Sequence, residues 1–243
     1  FFMTTLLISD LHLHQDHPLI IQGFLRFLKS HCQGIHALYI LGDFFDAWVG
    51  DDDPSLWIDE IAQALRTLSS SGTAIFLMRG NRDFLVGELF CQRAGCSLLP
   101  ETYILTVMHQ KILLMHGDQL CTEDHDYQLF RSMVLERHWQ ETFLAKPFHE
   151  RLVIAKQYRG MSQNAQSQKA MEIMDATEEA IIQQCNQHQI HTLIHGHTHR
   201  PQKHSHQTPT GDITRWVLGD WHQSAYYIKI DEQANISLLC FYL

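Results

Sequence analysis

Five times along this chain a short apolar run breaks off at a polar turn that carries Asp, Asn or His. Leu6-Leu7-Ile8 leads into Asp10-Leu11-His12, and Ala37-Leu38-Tyr39-Ile40-Leu41 into Gly42-Asp43. Ala74-Ile75-Phe76-Leu77-Met78 precedes Arg79-Gly80-Asn81-Arg82-Asp83, and Ile112-Leu113-Leu114-Met115 precedes His116-Gly117-Asp118. Finally, Ile190-His191-Thr192-Leu193-Ile194 delivers His195-Gly196-His197-Thr198-His199. Runs of this length read as buried strands. Helical spacing separates the early ones, at Ile20–Leu28 and Leu56–Leu68. Strands alternating with helices predict a layered α/β body, with its chemistry gathered on the rim formed by the carboxyl ends of the strands.

Between about Cys121 and Gln187 the pattern changes to long, charged, aromatic-bearing helical segments. Tyr127, Phe130 and Val134 are expected on one helical face and Phe148, Leu152 and Ala155 on another. The expected organisation is a core of residues 3–120 and 188–243 interrupted by a helical insertion at 121–187. Glu101–Thr106 reads as one further strand. Thr214–Leu218, Ser224–Ile230 and Ile236–Tyr242 read as strands of a closing sheet.

Charge narrows the partners. A net charge of −9 argues against broad nucleic-acid binding, which needs a concentrated positive surface. Residues 125–170 carry seven Lys or Arg against four acids, a local +3 suited to a phosphorylated ligand or an anionic membrane surface. No apolar stretch is long enough to span a bilayer. The apolar opening before Asp10 lacks the features of a signal peptide, and Met3 reads as an initiator. The six cysteines are scattered without a CxxC pair, which predicts free thiols in a reducing cytoplasm.

The polar turns supply a mixed ligand set: carboxylates at Asp10 and Asp43, an amide oxygen at Asn81, and imidazoles at His12, His116, His197 and His199. Such a mixture suits Mn, Fe or Zn. Two ions sharing Asp43 are expected, one with Asp10, His12 and His199 and the other with Asn81, His116 and His197. Ions about 3.5–4 Å apart activate a bridging water and stabilise phosphoryl oxygens, which is phosphoester hydrolysis.

Asp10-Leu11-His12, Gly42-Asp43, Gly80-Asn81, His116 and Gly196-His197-Thr198-His199 together resemble the calcineurin-like metallophosphoesterase superfamily. That resemblance implies a sandwich of two β-sheets flanked by helices. Arg82-Asp83 departs from the His-Glu that many members carry after Gly-Asn. Arg82 is a poor proton donor at neutral pH, a loss that an already stable phosphate leaving group would tolerate best.

Ser9-Asp10-Leu11-His12-Leu13, Leu41–Trp48, Arg79–Phe84 and His116-Gly117-Asp118, with Asp124, Tyr127, Tyr158-Arg159-Gly160, Ser162 and Lys169 in the insertion, resemble more narrowly the UDP-2,3-diacylglucosamine diphosphatases of bacterial lipid A synthesis. The resemblance covers essentially the whole chain from Met3. It implies Mn²⁺-dependent hydrolysis of UDP-2,3-diacylglucosamine to UMP and 2,3-diacylglucosamine 1-phosphate. It also implies two Mn²⁺ per chain, with Zn²⁺ or Fe²⁺ as other ions that fit, and a monomer peripheral on the cytoplasmic face of the bacterial inner membrane. Asp43, Asn81, Arg82, His116 and His197 are then expected at the reacting centre. Asn81, Arg82, Asp124, Tyr127, Arg159, Ser162, Gln166, Lys169 and His197 are expected at the substrate.

Ser162, Gln166 and Lys169 share one helical face by spacing. If they hold the glucosamine phosphate, water attacks the uridine-side phosphorus. Trp48, Phe84, Phe130, Trp139 and Phe143 are expected to line an acyl groove. A soluble nucleoside-diphosphate-sugar pyrophosphatase is the rival reading and would lack that groove.

Overall fold

A computed structural model describes residues 4–168 and 175–243, with side chains for 4–160 and 175–243. Its strands form two sheets. The first runs β11(Ile236–Tyr242), β10(Ser224–Ile230), β1(Thr5–Ile8), β2(Ala37–Leu41), β3(Ala74–Met78) and β4(Ser97–Leu98). The second runs β5(Thr102–Val107), β6(Gln110–Met115), β7(Thr192–His195), β9(Ile213–Val217) and β8(Gln202–His206). β1 to β4 are mutually parallel, as are β6, β7 and β9, so the carboxyl ends of β1, β2, β3, β6 and β7 gather on one rim.

Period-2 alternation explains why fully buried strands serve two cores at once. Leu7, Tyr39, Leu41 and Met78 face the second sheet and meet Leu105, Ile112, Leu114 and Ile194. Their neighbours Leu6, Ile8, Leu38, Ile40 and Leu77 turn outward onto helices α1(Pro18–Ser30) and α2(Leu56–Ser70), through Phe24, Phe27, Ile61 and Leu65. On the far side Leu113, Met115 and Leu193 pack under α7(Glu178–His188) through Ile181 and Cys185. The result is helix, sheet, sheet, helix, as expected.

The closing strands divide differently from expectation. β9 joins the second sheet between β7 and β8, whereas β10 and β11 extend the first beyond β1. Sequence periodicity fixes which face a strand buries and says nothing about its neighbour. Polar β8 and the short α3(Glu88–Ala94) were not anticipated.

The helices after Cys121 are α4(His125–Leu135), α5(Arg137–Leu144) and α6(Phe148–Gln168). The chain returns where Thr177 N–H donates to Leu120 O at 2.9 Å and the hydroxyls of Thr122 and Thr177 lie 2.8 Å apart. Asp124 caps α4 by accepting from Tyr127 N–H. On α6 the packed residues are Phe148, Ile154 and Ala155 beside buried Arg151; Leu152, expected with them, is 46% exposed. Arg151 occupies that face because it pairs with Asp52 and donates to Val49 O at 2.6 Å and Lys146 O at 3.0 Å. The six cysteines are free thiols, as expected.

Candidate metal centre

Every ligand predicted from the sequence sits on the shared rim, on turns that bend back sharply. Asp10, His12, Asp43, His197 and His199 all adopt left-handed backbone, with φ between 48° and 65°. Such conformations cost of order 1 kcal/mol or more for residues with a Cβ, and they persist where surrounding structure fixes them. Two glycines let the turns close on one another. A Cβ on Gly80 would lie 2.2 Å from Asp43 N, and one on Gly196 would lie 2.2 Å from Asp10 Oδ2.

The seven side chains converge. Asn81 Oδ1 lies 3.0 Å from His116 Nε2 and 2.9 Å from His197 Nδ1. His12 Nε2 is 3.4 Å from His199 Nε2, which is 3.3 Å from Asp10 Oδ1. Asp43 reaches both groups, with Oδ2 3.8 Å from His12 Nε2 and Oδ1 3.5 Å from His116 Nε2. Ligand atoms of Asp10, His12 and His199 lie within 4.8 Å of one another, as do those of Asp10, Asp43 and His116. Asp10 is therefore central to both groups, where the sequence reading gave it to one.

The electrostatics fit divalent cations. Burial pushes the Asp43 carboxyl up to about 7, and Asp83 and Asp10 add repulsion that His116 only partly opposes. Burial pulls His116 down, but Asp43 and Asp10 outweigh it and hold the imidazole at about 9. His12 and His197, chiefly through burial, are lowered to about 4. Lone pairs thus crowd a buried space with too few protons to join them, and His12 Nδ1 is buried without a hydrogen-bond partner. A divalent cation removes these conflicts, because it favours ionised carboxylates and neutral imidazoles together.

Several supporting residues carry no ligand role. Asp83, fully buried, accepts the backbone N–H groups of Gly80, Asp43, Phe44 and Phe45 at 2.7–3.2 Å and so ties the turn after β3 to the turn after β2. Ser9 donates to Asp10 Oδ2 at 2.5 Å. His195 is fully buried with Nδ1 2.8 Å from Gly196 O and Nε2 3.3 Å from Arg215 Nη1. Asp83 was visible in the sequence only as a departure from a motif, and Ser9 and His195 only as neighbours of ligands.

The sequence profile of calcineurin-like phosphoesterases matches residues 3–201. The chain belongs to this family. Membership implies use of a divalent metal, for which these residues form a possible site. Proteins named UDP-2,3-diacylglucosamine hydrolase are close in sequence along nearly their full length. The one from Serratia proteamaculans is 46% identical over 232 residues, 96% of this chain and 97% of the relative. Relatives from Cellvibrio japonicus and Pectobacterium carotovorum are 46% and 44% identical; they cover 92% and 98% of this chain and 93% and 99% of their own lengths.

Among the described residues, a larger and a smaller cavity open from this rim. The larger, about 370 Å³, begins at Asn81 and His197 and passes Arg82, Asp124, Tyr127 and Arg159. It continues between Trp48, Phe84, Phe130, Trp139 and Phe143, the residues expected to line a groove. Arg159 is ion-paired with Asp46 at its wall, and Tyr127 stacks on His197 with ring centres 6.1 Å apart. Burial, with Asp118 beside it, raises the Tyr127 hydroxyl well above its ordinary value; it donates to Asp118 Oδ2 at 2.6 Å. Arg131 Nε donates to the same oxygen at 2.7 Å, so Asp118 ties α4 to the turn that carries His116. The side chains of Ser162 and Gln166, and the whole of Lys169, lie outside the described residues.

Proposed function

We propose that this chain hydrolyses UDP-2,3-diacylglucosamine to UMP and 2,3-diacylglucosamine 1-phosphate, using two Mn²⁺ ions that share Asp43. The observation that carries this reading is the larger cavity, which joins Asn81 and His197 at the metal rim to Arg82, Asp124 and Arg159 and then to an aromatic apolar chamber. A diphosphate with a hydroxylated sugar and two acyl chains has that order of chemistry. The shared name of the close relatives supports the same substrate. Each methylene buried in the chamber contributes roughly 0.8 kcal/mol, so the chains can dominate recognition.

A bound metal pair supplies a water of lowered pKa and neutralises charge on phosphoryl oxygens. Asp43, with one oxygen toward His12 and the other toward His116, would be shared by the two ion sites. Arg82 lines the substrate cavity, and its N–H donates to Asp43 Oδ1 at 2.8 Å, so its backbone stands against the shared ligand. Its guanidinium would neutralise the diphosphate without donating a proton. Ser162, Gln166 and Lys169 would hold the sugar phosphate, with Asp124, Tyr127 and Arg159 lining the path of the sugar, so that the uridine-side phosphorus faces the ligand cluster. Water oxygen bonds to that phosphorus, and the phosphorus bond to the bridging oxygen breaks. The bridging oxygen departs with the lipid sugar phosphate, and the proton from water passes to solvent.

Hydrolysis in ¹⁸O water tests the assignment: label is expected in UMP, and label in the lipid product overturns the regiochemistry. Soluble UDP-sugars assayed beside the diacyl substrate should turn over far more slowly. Equal turnover would favour a soluble nucleoside-diphosphate-sugar pyrophosphatase. No helix among the described residues is long and apolar enough to cross a membrane, and we place the protein peripherally on the cytoplasmic face of the inner membrane, as a monomer.

A further inference from the structure

The smaller cavity, about 240 Å³, also opens on the metal rim, but on the His116 side of Asn81. Its lining is unlike the acyl chamber. Arg79, Gln119, Arg131, Gln140 and Glu101 surround it, with Phe84, Tyr127 and Phe130 forming the partition shared with the larger cavity. Helix α5 contributes to both sides through consecutive residues: Trp139 lines the larger cavity and Gln140 the smaller.

A substrate held by its diphosphate at Asn81 must send two arms away from the metals. One arm carries the acyl chains. The other carries a sugar and a flat heterocycle rich in hydrogen-bonding edges. We propose that the smaller cavity is the subsite for the nucleoside monophosphate half of the substrate, with Gln140 facing the base and Arg79 the ribose phosphate. This assignment rests on the diphosphatase reading above.

Three features support it. Arg79 precedes Gly80-Asn81 directly. Its Nε donates to Val86 O at 2.6 Å, and it has no carboxylate partner among the described residues, so its guanidinium retains donors for an anion beside the metals. Gln140 Nε2 donates to Val134 O at 3.0 Å, which fixes the amide and leaves its carbonyl oxygen as an acceptor for a ring N–H. Phe84 and Phe130 offer aromatic surface against which a base can stack. Arg131, by contrast, is already held by Asp118 and Glu101 and serves as wall.

The partition makes the proposal testable with the two products as separate probes. UMP and 2,3-diacylglucosamine 1-phosphate are titrated calorimetrically into Mn²⁺-loaded wild type, Gln140→Leu, Arg79→Met and Trp139→Ala, with bound manganese counted in each. Losing one buried hydrogen bond or charge contact weakens binding by about tenfold or more. Gln140→Leu and Arg79→Met are therefore expected to weaken UMP by that factor while leaving the lipid phosphate unchanged, and Trp139→Ala to do the reverse. A base-swapped substrate carrying cytidine should lose less to Gln140→Leu than the uridine substrate does. Unchanged UMP affinity in both smaller-cavity variants, at full manganese content, overturns the proposal. So does selective loss of the lipid phosphate in Gln140→Leu, which would assign the cavity to an acyl chain. Wild-type turnover of UDP-2,3-diacylglucosamine, measured separately, reports on the underlying reading: its absence would sink that reading whatever the UMP titrations show.

Discussion

The two oxygens of Asp43 point at imidazoles on opposite sides, 3.8 Å from His12 and 3.5 Å from His116, and its backbone N–H is held by Asp83. Asp43→Ala removes a carboxylate that offers one oxygen to each histidine, so the variant should bind fewer than two Mn²⁺ per chain and lose roughly a thousandfold or more in turnover. Two retained metals with near-normal activity would sink the shared-ligand assignment. Asp83 makes a different prediction, because its four backbone donors belong to the body's own turns. Asp83→Ala strands buried N–H groups at a cost of roughly 3 kcal/mol or more, a fall in Tm of about 10 °C for a chain of this size. A shift below about 3 °C by scanning calorimetry would refute that role. The contrast shows what the sequence could disclose at this scale. Candidate ligands such as Asp10, Asp43 and His116 stand out because each closes an apolar run. Asp83 acts on turns 38 to 40 residues away, brought near only by folding, whereas Ser9 and His195 touch the adjoining Asp10 and Gly196 and interrupt no pattern of their own.

At the scale of elements, Asp118 joins the turn after β6 to helix α4. Burial alone would raise its carboxyl, but His116, Arg131 and His197 outweigh that and Tyr127 adds a hydrogen bond, which brings it down to about 2 from an ordinary 3.8. A carboxylate with a depressed folded pKa stabilises the fold fully above its unfolded value and loses that contribution as pH falls through the folded one. Wild type should therefore lose roughly 2 kcal/mol between pH 3.8 and 2 that Asp118→Asn does not lose, read as a shallower acid limb in the variant's melting temperatures. Identical limbs would show that Asp118 does not hold α4. Element boundaries were readable where apolar runs were clean: β2, β3, β10 and β11 begin and end where the sequence places them. Gln202-Lys203-His204-Ser205-His206 forms β8 without any apolar signal, because an edge strand needs only backbone pairing with β9. α3 is too short, at seven residues, for helical periodicity to register.

For the molecule as a whole, the proposed function would make the helices after Cys121 the part that meets a lipid substrate. Sequence counts gave that segment +3, but the fold uses much of its positive charge internally. Arg151 pairs with Asp52, Arg159 with Asp46, and Arg131 with Asp118 and Glu101, while Arg137 pairs with Glu141 at the surface. Apolar side chains also reach solvent: Leu129 on α4 is 70% exposed and Val153 on α6 is 56% exposed, with Met133, Leu144 and Leu152 also outside the core. Membrane binding through this segment should therefore depend more on apolar insertion than on anionic attraction, with Lys156 supplying exposed charge. Leu129→Glu with Val153→Glu is expected to release the protein from vesicles containing anionic phosphatidylglycerol, while turnover of a short-chain substrate in detergent stays unchanged. Raising salt should release the wild type only partly, because screening acts on charge and leaves burial of apolar side chains intact. Co-sedimentation that persists in the double variant, or that vanishes for wild type at moderate salt, would count against this mode of attachment and return the interaction to the basic residues.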